Sequence, residues 1–223
     1  MISIIIPVYK EEDILQKAID QLNSLIHSRN QVEIILVNGD NENISVYGVD
    51  QVLNSAKGRA VQMNKGAENA KGEILYFLHI DSVPPKYFDK LIIEALSVSA
   101  IAGCFRMKFD MNHWLLNISG WMTKFKGVVY RGGDQSLFIK KETFKVLNGF
   151  REDLIILEDI DIVQQIYKKF NFVVLNAFIV TSARRYRENG VIYLQSIFGI
   201  IHLMNALNFS QESMLRFYKR RVR

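Results

Sequence analysis

One cysteine, three prolines and no HExxH-type histidine pair bound this sequence before anything else is read. The lone Cys104 excludes an internal disulfide and a cysteine-only zinc site, and it suits a reducing compartment. So few prolines, with no Gly/Ser-rich tract, repeat or low-complexity run, argue against a flexible hinge between domains. A phosphate-cradling GxGxxG or GxxxxGK[ST] loop is absent too. Gly58-Arg59 and Gly66 fit neither pattern, which sets aside simple dinucleotide and P-loop readings. The apolar run Ile2–Ile6 has no basic segment before it and meets Pro7 at once, so it does not read as a signal peptide. The longest apolar stretch, Val191 to Leu207, is interrupted by Gln195, Ser196, His202 and Asn205 and makes a poor membrane span. The expected location is cytoplasmic.

What is present is an ordinary globular composition, 49% hydrophobic and 23% charged, in 223 residues. That length is enough for one domain with a sizeable core. The net charge of +5 is confined to one end. Arg216, Lys219, Arg220, Arg221 and Arg223 supply it within the last eight residues, leaving a neutral body. A nucleic-acid binder would carry a basic groove across its fold, so no nucleic-acid partner is expected. Met214, Leu215, Tyr218 and Val222 fall at helical spacing, with Arg216, Lys219, Arg220 and Arg223 favouring the other side. This suits a tail lying on an anionic membrane, peripheral on the inner face of the plasma membrane, or a helix packing its apolar side on the body.

The first half alternates strand and helix signals. Ile2–Ile6, Val32–Val37, Gln51–Asn54 and Ile74–Leu78 read as strands. Ile14, Leu15, Ala18, Ile19, Leu22 and Ile26 mark an amphipathic helix, and Gly58 opens a second that runs to about Ala70 with Ala60, Val61, Met63 and Ala67 inward. Pro84-Pro85 reads as the start of a third. This rhythm predicts an α/β fold with a mostly parallel sheet and helices on both faces. In the second half, Ala102–Phe109, Gln135–Ile139 and Phe172–Leu175 read as strands. Trp114–Phe125, Lys141–Leu147 and Glu158–Phe170 read as helices, with two more from Val191 onward, broken near Phe209-Ser210.

Ligands of an open parallel sheet sit beyond the carboxyl ends of its strands. There the sequence places Pro7, Tyr9 and Glu11 after the first strand, Asn38 and Asp40 after the second, and His79-Ile80-Asp81 after Leu78. Acids gathered at one edge repel, and a divalent metal is one remedy; a simple turn cap by Asp81 is the other reading. Gly58-Arg59 sets an arginine and a helix start near an anion, or simply starts a helix. Of Glu158-Asp159-Ile160-Asp161, spacing of about 100° per residue groups Asp159 with Ile162 and Glu158 with Asp161. One of these acids could serve as a general base, although acids favour any helix N-terminus. The arginines of Ser182–Arg187, among them Arg184 and Arg185, suit a diphosphate, a lipid headgroup or a solvated turn.

Together these segments resemble the family-two glycosyltransferases with the GT-A fold. The resemblance runs from Ile4-Ile5-Ile6-Pro7-Val8-Tyr9-Lys10-Glu11 through Gly58-Arg59-Ala60, Gln62-Met63-Asn64 and Gly66-Ala67. It continues with Gly72-Glu73-Ile74-Leu75, Phe77–Asp81, Gly133-Asp134-Gln135 with Phe138, Gly149-Phe150 and Glu158-Asp159, in the family's order. The 58–67 block and the 182–190 ending are similar to a subgroup named for arsenosugar biosynthesis. The resemblance implies an inverting transferase that takes a sugar from a nucleotide-diphosphate donor. It implies one domain over 1–223, with 1–110 binding the nucleotide sugar, 111–189 carrying the acceptor and catalytic half, and 190–223 forming C-terminal helices.

On the family pattern, Asp81, with His79 at the place of the motif's first acid, would hold Mn²⁺ or Mg²⁺ on the donor diphosphate. Asp159, or Glu158 beside it, would deprotonate the acceptor. Pro7, Tyr9, Glu11, Asn38, Asp40, Arg59, Gly133, Asp134, Arg184 and Arg185 would line the nucleotide-sugar site. The acceptor, a small molecule or a lipid-linked one, is not read from the chain. Two positions depart from the family: His79 removes one negative charge, and Asn38 stands where an aspartate is usual. A nucleotidyltransferase and a non-catalytic membrane-surface scaffold are the competing readings. The first would normally show a basic glycine-rich loop after the opening strand, where Pro7–Glu12 stands instead.

Overall fold

The computed structural model describes residues 1–40 and 44–222; Arg223, one of the tail cations, lies outside the described residues, as does Asn41, which follows Asp40 in the sequence. Eight strands form one sheet in the order β3-β2-β1-β4-β7-β6-β8-β5. They are β1 (Ile2–Val8), β2 (Val32–Asn38), β3 (Gln51–Asn54), β4 (Ile74–Phe77), β5 (Ser82–Val83), β6 (Ala102–Phe109), β7 (Leu137–Lys140) and β8 (Phe172–Thr181). The helices are α1 (Glu12–Leu25), α2 (Arg59–Asn69), α3 (Phe88–Val98), α4 (Trp114–Met122), α5 (Lys141–Val146), α6 (Glu158–Lys169), α7 (Arg184–Asn189), α8 (Val191–Ala206) and α9 (Gln211–Lys219).

β3, β2, β1 and β4 are parallel to one another, and β6 is parallel to β8. β7 enters antiparallel between β4 and β6, and β5 pairs antiparallel with β8. This is the GT-A-type α/β architecture, its sheet mostly parallel and flanked by helices. Alternation along β1 explains the two layers: Ile2, Ile4 and Ile6 face the core under α1 and α3, while Ile5 faces the core under α2 and α6. α2 lies so close to β1 that a Cβ on Gly66 would sit 2.4 Å from Ile5 Cγ2. Only glycine fits this contact, and it sets the height of α2 over the sheet.

Several expected boundaries move. β1 continues through Pro7 to Val8, because β4 pairs with β1 only as far as Ile5 and leaves the proline room. Ile26 falls past the end of α1 in extended backbone. The segment after Asp81 pairs as β5 with Thr181 and Val180 before α3 begins, so Pro84-Pro85 precede that helix rather than start it. Residues Gly133–Gln135 form a 3-10 turn, and β7 begins only at Leu137. β8 runs to Thr181 rather than Leu175, past an irregularity that pairs Phe105 with Leu175 but Arg106 with Phe178. The arginine-rich segment after Ser182 is helical as α7. The tail helix α9 turns its apolar side inward: Met214 is fully buried, and Phe217, Tyr218 and Val222 pack with it against α8. Of the two readings of the tail's apolar side, packing on the body is the one realised.

Candidate active site

The polar residues after β1, β4 and the turn before β7 meet the start of α6. α6 begins after Leu157, which takes a left-handed backbone at φ 64. Its buried stripe is Glu158, Ile162 and Ile166 at four-residue spacing. That corrects the grouping of Asp159 with Ile162: the core claims Glu158, and Asp159 remains partly exposed. The two acids therefore have different surroundings. Glu158 is 1% exposed, and its Oε1 accepts from Arg59 Nε at 2.8 Å, while Oε2 is buried with no hydrogen-bond partner. Burial pushes the Glu158 carboxyl above its ordinary range even with Arg59 beside it.

Asp159 faces the turn that carries Gly133 and Asp134. A Cβ at Gly133 would sit 2.7 Å from Asp159 Oδ2 and 3.1 Å from His79 Cε1. The missing side chain lets a carboxylate and an imidazole converge on one backbone position. His79 Nδ1 in turn lies 3.5 Å from Asp134 Oδ1. Burial works against a charge on His79, but the Asp134 hydrogen bond and the nearby acids outweigh it and raise the imidazole pKa. Asp134 is half-exposed; the protein around it opposes its charge, and His79, Arg59 and Arg185 outweigh that and hold the carboxylate below the ordinary range. Arg59, at the first position of α2, loses some stability of its charge to burial and gains more from Glu158, Asp159 and Asp134, so its pKa rises. Ser136, just after this turn, is also left-handed at φ 59. Strained backbone of this kind collects where side chains must be held in functional positions.

A second group joins this one. Burial, then the charge of Asp81, raises the Glu11 carboxyl, while Arg184 and His79 act to lower it. Arg184 and Arg185, both exposed on α7, thus border the site, the first near Glu11 and the second near Asp134. Of the residues singled out in the sequence, Glu11, Arg59, His79, Asp81, Gly133, Asp134, Glu158, Asp159, Arg184 and Arg185 come together here. Pro7, Tyr9, Asn38 and Asp40 lie at the neighbouring ends of β1 and β2. Pro7 is buried in β1, and Asn38 is fully buried with its Oδ1 accepting from Asp40 N at 2.9 Å.

Four further residues shape the site. Lys57 Nζ stands 3.8 Å over the Tyr9 ring. Gln62, 2% exposed, donates from Nε2 to the carbonyls of Val8 at 2.7 Å and Val37 at 2.8 Å, closing the end of the β1–β2 ladder. Asn64 donates to Phe150 O at 2.8 Å and accepts from Phe150 N at 2.9 Å, which ties α2 to the Gly149 turn. Gln62 and Asn64 belong to a segment that carries part of the family resemblance, which marks them without giving these roles. Arg131, 6% exposed, donates to Gln135 Oε1 at 2.6 Å, to the carbonyls of Thr123 and Phe125, and to Cys104 Sγ. It staples the loop before Gly133 to β6, and nothing local in the sequence marks it.

The profile of glycosyl transferase family 2 matches residues 3–148. Among solved structures, the chain is similar to a 1–349 fragment of TarS from S. aureus in complex with UDP-GlcNAc. The two are 15% identical over 97% of this chain and 72% of that one, with a TM-score of 0.65. It is also similar to the mannosyltransferase PcManGT from Pyrobaculum calidifontis in complex with GDP-Man and Mn²⁺. That pair is 14% identical over 97% of this chain and 68% of that one, with a TM-score of 0.66. At these identities the likeness is one of fold. No curated protein matches the sequence.

Proposed function

The chain belongs to glycosyl transferase family 2, and on that premise we propose that it moves a sugar from a nucleotide-diphosphate donor to an acceptor hydroxyl with inversion at the anomeric carbon. The observation that carries the reading is the division of labour between the paired acids of α6. Glu158 is sequestered against Arg59, and Asp159 stands open beside Gly133 and His79. Asp159 is then the general base: it takes the proton of the acceptor hydroxyl as that oxygen attacks the anomeric carbon and the bond to the diphosphate breaks. Glu158 acts as a positioning residue that fixes Arg59. Arg59, Arg184 and Arg185 hold negative charge on the donor phosphates, and Asp134 orients His79.

The donors of two proteins of the same fold support this reading. TarS is described with UDP and UDP-GlcNAc, and PcManGT with GDP-Man and Mn²⁺. Tyr9 with Lys57, and Asp40 rather than the buried Asn38, are the groups we assign to the nucleoside.

A divalent metal fits the residues present. Burial and then the charge of Asp81 raise the Glu11 carboxyl, and a hard cation at this edge would relieve the repulsion between the two acids. Among the described residues, no group of three His, Cys, Asp or Glu side chains forms a metal site. The ion we propose is Mn²⁺ or Mg²⁺ held by one or two protein groups plus the substrate phosphates. Asp81 would hold the ion, with His79 as second donor. Its Nδ1 contact to Asp134 is the second-sphere arrangement that orients metal-bound histidines. When bound, the ion stabilises charge on the departing diphosphate.

The segments similar to the arsenosugar-biosynthesis subgroup, 58–67 and 182–190, supply Arg59, Arg184 and Arg185. The acceptor is left as a small-molecule or lipid-linked hydroxyl compound; the subgroup's name alone suggests an arsenic-containing one. Titration calorimetry with UDP-GlcNAc and GDP-Man, with and without Mn²⁺, tests the donor reading. Wild-type protein should bind one of them in a Mn²⁺-dependent manner, and Asp81→Ala should lose that dependence with its melting temperature unchanged. Equal Mn²⁺-dependent affinity in the variant would remove Asp81 from the metal site.

A further inference from the structure

α8 carries apolar residues on its outer face as well as its inner one, although Gln195, Ser196, His202 and Asn205 interrupt it. Its inner face, Val191, Leu194, Ile197 and Ile201, packs on the body, while Ile192 is 63% exposed, Leu203 58% and Leu207, just past its end, 63%. Large apolar side chains left uncovered on the outer face of a helix call for a partner or an apolar medium. α4 lies beside it, joined through Leu116 against Val191 and Leu194. It has the same character: Trp114, Ile118 and Trp121 recur on one face at 62%, 47% and 52% exposure. Phe125 continues the stripe beyond the helix end. So much exposed apolar surface on two adjoining helices marks a docking face.

Charge selects the partner. Between Met111 and Gly133, and again between Asn189 and Gln211, the chain has no acidic residue. Cations rim the apolar stripes. Lys124 Nζ stands 4.1 Å over the Trp121 ring, and Lys126 follows two residues on. Where α8 meets α9, a cleft of about 290 Å³ is lined by Met204, Phe209 and Phe217 together with Arg216, Arg220 and Arg221. The Arg221 guanidinium lies 4.1 Å from the centre of the Phe217 ring. Apolar and aromatic side chains edged by arginine and lysine, with Glu212 in the first turn of α9 as the one acid on its cationic side among the described residues, match the boundary between headgroups and acyl chains of an anionic bilayer. No helix among the described residues is long and apolar enough to cross a membrane.

We infer that the face formed by α4, α8 and the cationic side of α9 docks this protein on an anionic bilayer surface. The contact is made by the exposed stripes of α4 and α8, not by the apolar side of α9, which the body already covers. It goes beyond the transfer reaction and is measured without donor, metal or acceptor, so its failure would leave that reading standing.

Co-sedimentation with phosphatidylcholine vesicles, with and without phosphatidylglycerol, decides the question. The wild-type chain should sediment with the anionic vesicles only, and less as salt is raised. Trp114→Ser with Trp121→Ser, and separately Leu203→Ser with Leu207→Ser, should abolish sedimentation. Arg220→Glu with Arg221→Glu should weaken it at least about tenfold at low salt. All six positions are exposed, so thermal melts should stay at the wild-type value. Failure of the wild type to bind anionic vesicles would overturn the inference, as would variants that bind like the wild type. So would a concentration-dependent dimer, seen by sedimentation velocity, that the tryptophan variant dissolves, since the face would then belong to a second copy.

Discussion

The two ends of the central strands treat buried acids in opposite ways. At the amino ends, Glu33 is 5% exposed and fully enclosed by donors. Ser3 Oγ donates to it at 2.7 Å, Gln51 Nε2 at 2.8 Å and Lys71 N at 2.9 Å, and Ser3 Oγ accepts in turn from Gly72 N. At the carboxyl ends, Glu158 is buried as deeply but has one charged partner and an oxygen with none. Around it Glu11, Asp81, Asp134 and Asp159 share a few cations. One fold thus closes a polar network where stability is all that is required, and leaves acceptor capacity open where a ligand is expected. Burial of an acid does not by itself mark function; an incomplete set of partners does.

The largest effect that could break this contrast comes from the open end. Asp159→Asn keeps the shape and removes the proton acceptor, so transfer should fall by about 10²–10⁴-fold. Donor binding and melting temperature should hold, because Asp159 is only partly buried and completes no core network. Initial-rate assays beside thermal melts read both quantities. Transfer within a few-fold of wild type would move the base away from Asp159 and return Glu158 to consideration.

The closed end should respond in reverse. Glu33→Ala strands the Ser3 hydroxyl, the Gln51 amide and the Lys71 N–H together, each losing its acceptor. A loss of about 2–4 kcal/mol of unfolding free energy is expected, as for a broken buried network. Chemical denaturation measures it, while the transfer rate of the folded fraction should match wild type. A variant that melts normally but transfers slowly would erase the distinction between the two ends.

The sequence exposes these two ends unequally. Runs such as Ile2–Ile6 and Val32–Val37, each stopped by proline, asparagine or glycine, announce parallel strands, and the chain order puts Glu11, His79 and Asp81 at the edge beyond such strands while leaving their roles open. The antiparallel entry of β7 has no local signal, since strand direction is set by which neighbour it finds. β8 is cut short in the reading because Asn176 and Ala177 interrupt its apolar pattern where the sheet is irregular. The division between Glu158 and Asp159 is hidden for a sharper reason. Both acids suit a helix N-terminus, and three- and four-residue spacings place different ones inward. Only the packing of Ile162 and Ile166 decides for Glu158. Gln62 and Arg131 look like surface residues until their carbonyl partners, distant in sequence or contributed by a loop, are seen.

The smallest expected effect asks whether the open end responds to pH through the His79–Asp134 pair. The imidazole pKa is raised above its ordinary 6.5, so its contribution to stability is complete below that value and is lost as pH climbs through the higher folded value. The Asp134 pKa is lowered from 3.8, so its contribution is complete above that value and is lost as pH falls through the lower folded one. The pair therefore stabilises most between 3.8 and 6.5. His79→Gln removes the titrating charge and keeps a polar group of similar reach. The melting-temperature gap between wild type and this variant should be widest at about pH 5 and should narrow by about pH 8. Asp134 is half-exposed, and water screens the pair, so the gap should amount to a few degrees at most, about the shift that roughly 1 kcal/mol produces in a domain of this size. A gap that stays constant across that range would mean that His79 and Asp134 meet only as neutral hydrogen-bonding partners. The contrast between the two ends would then rest on Asp159 and Glu158 alone.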